Sequence, residues 1–362
     1  MAPPLLMLPV WPHPATATVA DIGEHGLIRW IRDAAAVLPS RDVVLGIGDD
    51  AAVVAPLRNH LDVLTTDIQV EDVHFAWHAS TPAQIGARAL HVNLSDIAAM
   101  GAVPRYALLS LGLPAVMSGT RLHALLEGLL TAAAAARIAL IGGNISRAPT
   151  LTIDLTLTGA VKRRHLLRRS GARSGDEVYV SGAIGAAAAG LAWLTHCGDE
   201  PHVPDVVLDA IRRFRAPDAR VALGVQVARN RAASSCMDTS DGLADALHQM
   251  AEASRVGMRL ELALLPVHPA VDTVATRRGS DPLAMALGGG EDYELVFTVP
   301  RRRRRAFLHA AGRTGLPPVT RIGVCSKEPG VSMVDALGHA VALPTGYQHF
   351  VSTPHAGPDT GA

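Results

Sequence analysis

The sequence predicts a mixed fold of the α/β or α+β class, built from two domains. Three observations carry this prediction. The chain has 362 residues, and at about 150 residues per domain this length corresponds to roughly two domains. Hydrophobic residues make up 49% of the chain and charged residues 18%, which provides material for packed cores and excludes disorder for most of its length. Strand-like and helix-like segments alternate in both halves, as they do in mixed folds.

Changes of composition divide the chain into four stretches. An apolar extension over residues 1–20 is broken by five prolines and lacks a basic segment, so we expect a flexible extension and not a signal peptide. An N-terminal domain is predicted over 21–161 and a C-terminal domain over 162–350, joined by the basic loop 162–169. The polar tail 351–362 is expected to be disordered.

The N-terminal domain opens with a helix and two strand-like regions. An amphipathic pattern predicts the helix over Glu24–Val37. Arg41–Val54 is a strand-like region broken by a glycine-rich loop. Leu61–Thr65 is predicted to be a short apolar strand that leads directly into Thr66 and Asp67.

The next helix carries the clearest local signals. Thr81 is its predicted N-cap, Pro82 fits the first helical position, and Gln84 completes a capping box. Gly101 stands where a glycine would end the helix. Asp96 shares a face with apolar residues by the spacing of three to four residues. A carboxylate there is costly unless a cation meets it, so Asp96 is a candidate functional residue.

The remaining elements follow the same alternation. The predicted helices are Leu122–Arg137, Gly185–Leu194, Ala219–Arg229 and Ala244–Ser254. The predicted strands are Ile138–Ile141, Leu151–Val161, Glu177–Val180, Ser234–Met237, Met258–Ala263 and Tyr293–Val299. The arginine run Arg301–Arg305 is interpreted as the solvated start of a further helix, because a nucleic-acid patch is the weaker explanation.

The charge and cysteine content limits the possible partners. Basic and acidic residues balance at 33 each, so we expect neither nucleic acid nor a membrane as a partner. Lys162 and Lys327 are the two lysines, and neither follows a glycine, which excludes a phosphate loop of the G-x-x-x-x-G-K type. Three widely spaced cysteines fit a reducing compartment, and we expect a cytoplasmic protein.

Acidic residues form five clusters, which carry the functional prediction. The clusters lie at predicted strand ends or on helix faces, and they are Asp49–Asp50, Thr66–Asp67, Asp96, Asp238–Asp241 and Gly290–Asp292. Gathered carboxylates repel one another, and oxygen ligands without histidine or cysteine select Mg²⁺ or Ca²⁺ over zinc. Glycines beside the clusters would let the backbone approach a phosphate. The residues alone indicate a metal-dependent phosphate site, although any one cluster also fits a helix cap or a turn.

An ordered set of motifs resembles the bacterial thiamine-monophosphate kinases. From about Asp21 to Phe350, the motifs are Gly46–Ala52, Thr65–Asp67, His74–Phe75, Val92–Gly101, Ile141–Asn144, Arg169–Ala172, Asp238–Leu243, Gly289–Leu295 and Gly346–Phe350. The resemblance implies the two-domain fold of the wider group similar to aminoimidazole ribonucleotide synthetase, and a homodimer whose N-terminal domains form a shared sheet or barrel. It also implies Mg²⁺-dependent in-line transfer of the ATP γ-phosphate to thiamine monophosphate, giving thiamine diphosphate and ADP.

The resemblance assigns roles to individual residues. It implies that Mg²⁺ ions are held by Asp50, Thr65, Thr66, Asp67, Asp96, Asn144, Asp238 and Asp241, with catalysis centred on Asp67, Asp96 and Asp238. It implies ATP contacts from Gly143, Asn144, Arg169 and Ser240, and contacts to thiamine phosphate from His74, Glu291 and Tyr347. Many members carry Asp where this chain has Asn144, whose amide oxygen can coordinate Mg²⁺ but adds no charge.

Alternative functions come from relatives of the same group and from binding proteins. A selenophosphate synthetase would carry a reactive Cys or selenocysteine and a lysine near its N-terminus, and the first cysteine here is Cys197. A hydrogenase-maturation relative would end in a cysteine, whereas this sequence ends in Ala362. Aminoimidazole ribonucleotide synthetase itself lacks this set of motifs. A binding protein without turnover would respond to nucleotide alone.

Overall fold

Two large β-sheets, each backed by helices, organise the chain and confirm the mixed class, and the strands Val43–Leu45 and Val53–Val54 form a small separate pair. The structure, a computed structural model, describes residues 9–38, 42–197, 202–313 and 315–344. A four-stranded sheet lies in the N-terminal half and a seven-stranded sheet in the C-terminal half. Each sheet packs against helices through its own core of buried aliphatic residues.

The elements of the N-terminal half follow the predicted order, with one strand, Val103–Leu113, that the sequence analysis does not predict. Its helices are α1 (Val19–Ala35), α2 (Pro82–Ala99) and α3 (Gly119–Ala136). Its strands are β1 (Val43–Leu45), β2 (Val53–Val54), β3 (Leu61–Val70), β4 (Val103–Leu113), β5 (Ala139–Arg147) and β6 (Thr152–Val161).

The C-terminal half contains more elements than the sequence predicts. Its helices are α4 (Ala186–His196), α5 (Asp205–Arg215), α6 (Val221–Arg229), α7 (Leu243–Ser254), α8 (Ala270–Arg278), α9 (Pro282–Gly288) and α10 (Arg304–Ala311). Its strands are β7 (Glu177–Ser181), β8 (Ser235–Asp238), β9 (Gly257–Glu261), β10 (Leu295–Val299), β11 (Val319–Ser326), β12 (Gly330–Val334) and β13 (Ala340–Val341).

The four-stranded sheet has one covered face and one open face. Its order is β3-β6-β4-β5, with β6 antiparallel to β3 and β4, and β5 parallel to β4. Inward-facing residues such as Leu109 and Leu155 pack under α2 and α3 and are almost fully buried. On the opposite face Leu64 and Ile68 of β3 remain 69% and 49% exposed. The alternation along β3 therefore separates its side chains into two environments.

Helix α2 begins and ends where the sequence predicts. The Thr81 hydroxyl accepts a hydrogen bond from the backbone N–H of Gln84, and the Gln84 side chain accepts one from the N–H of Thr81. Met100 is the C-cap, and Gly101 follows with a φ of +66°. A β-carbon at Gly86 would lie 1.9 Å from the carbonyl oxygen of Leu125, so glycine allows α2 to approach α3 closely.

The seven-stranded sheet packs against the N-terminal half through α2. Its order is β13-β12-β9-β11-β7-β10-β8, antiparallel except for the β12–β9 pair. Ala98 and Ala99 of α2 share a core cluster with Leu223 and Val227 of α6. Helix α2 thus contributes to both halves of the molecule.

Two predicted strand ends are wrong. β3 continues through Thr66 and Asp67 to Val70, and β5 continues through Asn144 to Arg147. Both strands accommodate polar residues because one face of their sheet is open, so polar side chains need not mark a strand end.

The N-terminal segment differs from the expected flexible extension over its described part. Trp11 packs edge-on against Trp30, with the ring centroids 5.1 Å apart. Helix α1 begins at Val19 and not at Glu24, because Thr18 and Asp21 form a capping box, and a kink at Gly23 lets it continue. Residues 1–8 and the tail 351–362 lie outside the described residues.

The arginine run lies at the start of a helix, as predicted. Arg301–Arg303 forms a short 3₁₀ turn that leads into α10. In the described part of the chain, no helix is both long and apolar enough to cross a membrane.

Candidate active site

A cavity of about 810 Å³ lies between the two halves of the molecule. The N-terminal half contributes β3, the loop that follows it, and α2, while the C-terminal half contributes α4 and the loops before α7 and β10. The candidate residues that line the cavity are Thr66, Asp67, His74, Asp96, Asp238, Ser240, Asp241 and Glu291. The fold therefore brings together residues that lie more than 200 positions apart in the sequence.

Four aspartates line this cavity, and we call them the acidic edge: Asp67, Asp96, Asp238 and Asp241. Asp67 lies on β3, Asp96 in the last turn of α2, and Asp238 at the end of β8. The Thr65 hydroxyl donates a hydrogen bond of 2.5 Å to Asp96. The acidic edge is thus assembled from elements of both halves of the molecule.

Asp238 is held from the same helix. The hydroxyl of Ser95, also on α2, donates a hydrogen bond of 2.6 Å to Oδ2 of Asp238. Ser95 directly precedes Asp96, so neighbouring residues of α2 contribute one carboxylate to the acidic edge and hold another in place.

Burial and mutual repulsion raise the pKa values of the acidic edge. Burial, followed by the charges of Asp96, Asp238 and Asp241, raises the pKa of Asp67 to about 7. Burial and the charge of Asp96 raise the pKa of Asp238 to about 7. Burial also raises the pKa of Asp96, against the hydrogen bond from Thr65 and the charge of Arg169. Negative charge at this edge is thus only partly compensated by the protein.

The donor chemistry of the acidic edge fits Mg²⁺. Its ligands are carboxylate oxygens without sulfur or imidazole nitrogen, the hard donors that Mg²⁺ prefers. Among the described residues, no three histidine, cysteine or acidic side chains enclose a common point closely enough to hold an ion by themselves. Mg²⁺ usually keeps water and binds substrate phosphates as well, so an open edge of carboxylates suits an ion delivered with a phosphorylated ligand.

Two predicted metal ligands, Thr66 of the cavity wall and Asn144, lie on the open face of the sheet, whereas Thr65 lies on the covered face. Asn144 is opposite Ser110, Ser110 is opposite Asp154, and Asp154 is opposite Ile68. The Thr66 hydroxyl donates a hydrogen bond of 2.9 Å to Asp154 on this face. Thr66 and Asn144 therefore share a face with Asp154, which the sequence analysis missed.

Three further candidates, like Asn144, lie outside the cavity wall. A β-carbon at Gly143 would lie 1.8 Å from the carbonyl oxygen of Leu109, so strand packing already requires this glycine. Asp50 is exposed in the loop before β2, where its N–H bonds the side chain of Asp49. Arg169 donates to Gln249, and its charge lowers the pKa values of Asp96 and Asp238.

Two of the predicted thiamine-phosphate residues also line the cavity. His74 accepts a hydrogen bond of 3.1 Å at Nδ1 from the N–H of Val70. Glu291 pairs with Arg88, and its N–H donates 2.7 Å to the carbonyl oxygen of Ser240. Tyr347 lies outside the described residues.

Sequence reasoning missed the apolar wall of the cavity and the arginine beside it. Phe75, Ala188, Leu191 and Phe214 line the wall, and their spacing in the sequence gives no signal because they come from separate elements. Arg88 carried a signal, since it is a charged residue at helical spacing from the apolar Ile85 and Val92.

Comparisons with known proteins place this geometry in a family. The N-terminal domain family of the AIR synthase related proteins matches residues 48–161, and their C-terminal domain family matches residues 173–336. A thiamine-monophosphate kinase of Escherichia coli K12 is 39% identical over 316 residues, which is 86% of this chain and 93% of the relative.

Two solved structures show the same similarity. The thiamine-monophosphate kinase of Stenotrophomonas maltophilia superposes with a TM-score of 0.76 at 36% identity, covering 87% of this chain and 96% of that one. AaThiL, complexed with AMPPCP and TMP, superposes with a TM-score of 0.71 at 32% identity, covering 92% and 99%. The chain therefore belongs to the AIR synthase related proteins and, among them, to the thiamine-monophosphate kinase family.

Proposed function

We propose that this chain transfers the γ-phosphate of ATP to thiamine monophosphate, giving thiamine diphosphate and ADP. One observation carries the proposal: a single cavity combines an edge of four aspartates with an apolar wall. The edge suits metal ions that accompany two phosphorylated ligands, and the wall suits an aromatic ring system. The relatives are named thiamine-monophosphate kinases, and the AaThiL structure is a complex with AMPPCP, an ATP analogue, and TMP.

The acidic edge is the proposed centre of the transfer. We assign Asp67, Asp96 and Asp238 to the binding of Mg²⁺, with Asp241 beside them. When bound, Mg²⁺ would neutralise phosphate charge and favour in-line attack. The attacking group is a phosphate oxygen that is already anionic near neutral pH, so none of these aspartates needs to act as a strong base. Thr65 and Ser95 orient the carboxylates through their hydrogen bonds.

The ATP phosphates are assigned to residues around the acidic edge. Ser240 lies between Asp238 and Asp241 in the cavity wall, and the charge of Arg169 acts on the same carboxylates. Gly143 and Asn144 are proposed to contact ATP, and Asp50, Thr66 and Asn144 remain proposed metal ligands. The open face of the sheet, where Thr66 and Asn144 lie, would have to adjoin the nucleotide in the working enzyme.

Thiamine monophosphate is assigned to the part of the cavity that Glu291 and the apolar wall line. The negative charge of Glu291 suits the thiazolium cation, and Phe75 and Phe214 offer apolar surface for the rings. His74 and Tyr347 complete the proposed contacts. This arrangement would place the phosphate of the substrate toward the acidic edge.

A homodimer is the proposed assembly. β3 is an edge strand of ten residues, and its own Leu64 and Ile68 are exposed on the open face. Exposed apolar residues on a sheet edge are typical of a surface that pairs with another chain. Light scattering of the wild-type chain should give twice the monomer mass, and Leu64→Glu with Ile68→Glu should give the monomer. A monomeric wild type would contradict the proposed dimer.

The reaction itself provides the direct test. Purified protein is incubated with ATP and Mg²⁺, with and without thiamine monophosphate, and ADP and thiamine diphosphate are separated by chromatography. Thiamine diphosphate that depends on both substrates and on Mg²⁺ supports the proposal. ADP without thiamine diphosphate would contradict the assigned acceptor, and no ADP from folded protein would contradict the transfer itself. Because ATP is an intracellular substrate, a cytoplasmic location is proposed with this activity.

A further inference from the structure

Arg88 is a buried cation on α2 that contacts two different walls of the cavity. Its side chain is 2% exposed. Nη1 donates a hydrogen bond of 2.6 Å to the carbonyl oxygen of Phe214, and Nη2 donates to Oε1 of Glu291. The guanidinium also lies 4.8 Å from the centre of the Phe214 ring. One side chain from the N-terminal half therefore holds two cavity residues of the C-terminal half.

The Glu291 loop needs external support to keep its conformation. Glu291 has a φ of +73° and Tyr293 a φ of +50°, values that are unfavourable for residues with a β-carbon. The N–H of Glu291 is fixed by the carbonyl oxygen of Ser240 at 2.7 Å. The Glu291 side chain is fixed by Arg88. Backbone and side chain thus have separate anchors, and only the second sets the direction of the carboxylate.

The pair leaves part of the Glu291 carboxylate available. Its side chain is 30% exposed and lines the cavity. Oε1 receives the hydrogen bond from Arg88, and Oε2 receives none from the residues that the structure describes. A planar guanidinium can serve a carbonyl oxygen and a carboxylate at once, which a lysine ammonium does less well.

We propose that Arg88 is a positioning residue for substrate recognition, which holds one oxygen of Glu291 and the Phe214 wall so that the other oxygen meets the cationic ring. This inference rests on the proposed function, because it requires a cationic substrate in the cavity. Since Arg88 offsets the charge of Glu291, recognition of the cation depends on the direction of the carboxylate and less on net charge. Loss of Arg88 should therefore weaken binding of thiamine monophosphate and leave binding of ATP largely unchanged.

Steady-state kinetics of Arg88→Met and Arg88→Lys test the inference. Initial rates are measured with thiamine monophosphate varied at saturating ATP, and then with ATP varied at saturating thiamine monophosphate. In Arg88→Met we expect KM for thiamine monophosphate to rise about tenfold or more and KM for ATP to change by less than about twofold. Arg88→Lys should give an intermediate KM, because the charge remains and the second donor is lost.

A double-mutant cycle with Glu291→Gln shows whether Arg88 acts through Glu291. If it does, Arg88→Met should add less than about twofold to the KM of Glu291→Gln, because the two changes remove one interaction. If the KM changes of the two single variants multiply in the double variant, the inference is wrong. Arg88→Lys provides the same test if Arg88→Met does not fold.

Arg105→Met is the matched control for a general loss of stability. Arg105 is 9% exposed, pairs with Asp42 at 2.9 Å, and lies 4.6 Å from the ring of Tyr106, outside the cavity. We expect this variant to lower Tm without changing the ratio of the two KM values. An active wild type with KM for thiamine monophosphate unchanged in both Arg88 variants would overturn this inference alone. A wild type that forms no thiamine diphosphate would overturn the proposed function as well.

Discussion

Glu294 and Asp238 are both buried carboxylates, and they lie beside each other at neighbouring strands, yet they differ in how their charge is met. Glu294 is 1% exposed and receives hydrogen bonds from Arg220 at Nε and Nη2 and from the hydroxyl of Ser181. Asp238 is as deeply buried, and its hydrogen bond comes from the neutral hydroxyl of Ser95. The largest effect of a neighbouring charge on its pKa comes from Asp96, which has the same sign.

The difference separates a structural charge from a functional one. The protein supplies the cation for Glu294, and this pair stabilises the packing of α6 against the loop before β10. At the acidic edge the cation must come from the ligand, because Asp67, Asp96 and Asp238 repel one another. Buried carboxylates in a cavity whose charge the protein compensates only in part are typical of ligand sites.

The largest expected effect comes from removing a carboxylate of the acidic edge. Asp96→Asn and Asp67→Asn should each lower kcat by about 10³-fold, because a proposed metal ligand loses its charge. Folding should be retained, since the change also removes repulsion within the edge. Turnover and Tm are measured together for each variant.

The same variants also separate catalysis from binding alone. Isothermal titration with Mg²⁺ and a non-hydrolysable ATP analogue should show weaker metal binding in both variants. Near-normal rates in both variants would show that the acidic edge is not the metal site.

Arg220→Met tests the structural side of the comparison. This change leaves Glu294 buried without its cation and should reduce the free energy of unfolding by about 3 kcal/mol or more. The fraction that remains folded should keep KM values within about twofold, because Arg220 does not line the large cavity. Urea denaturation gives the stability, with Arg212→Met as a control whose side chain is 75% exposed and whose loss should cost about 1 kcal/mol or less.

The pH dependence of stability sharpens the comparison further. Asp67 and Asp238 have pKa values of about 7 in the folded chain, against 3.8 for an ordinary aspartate. Between these pH values the folded state holds more protons than the unfolded state, so stability falls as pH rises through this window. Without metal, Asp238→Asn should therefore exceed the wild-type Tm by about 2–4 °C at pH 8 and by less at pH 5.

Mg²⁺ should reduce the loss of stability that ionisation of Asp67 and Asp238 causes. Because its binding offsets the repulsion of ionised carboxylates, Mg²⁺ should raise the wild-type Tm more at pH 8 than at pH 5. A metal-free difference between wild type and Asp238→Asn that is the same at both pH values would contradict the raised pKa of Asp238.

The smallest expected effect concerns the open face of the sheet. Asp154 contributes the weakest of the four charges that raise the pKa of Asp67. Asp154→Asn should therefore change kcat by less than about threefold at pH 8, since the interaction is partly screened. Asp154→Thr removes the same charge, so its kcat should match that of Asp154→Asn. A loss of kcat as large as that of Asp67→Asn would place Asp154 within the acidic edge.

Local signals predicted α2 because its start and end are encoded within a few residues. Thr81, Pro82 and Gln84 define the start, and Gly101 marks the end. Asp96 was found in the same way, as a charge on an apolar helix face. The class of the fold followed from the alternation of elements along the chain.

Features that depend on neighbouring layers were not predictable from local pattern. The ends of β3 and β5 were wrong because an open sheet face tolerates Thr66 and Asn144 inside a strand. Helix α5 was missed because its polar residues mask a narrow apolar stripe that includes Phe214. The pairing of Arg88 with Glu291, 203 positions apart, arises only when the two halves pack together.

The two turns of α2 between Arg88 and Asp96 have a consequence for how this sequence can change over evolution. Eight residues of helix separate the two side chains by about 12 Å. A single inserted or deleted residue would rotate one of them by about 100° relative to the other and shift it by about 1.5 Å along the axis. Loops elsewhere in the chain can lengthen at little cost. This stretch of α2 is closed to any change of length, so related sequences should align across it without a gap.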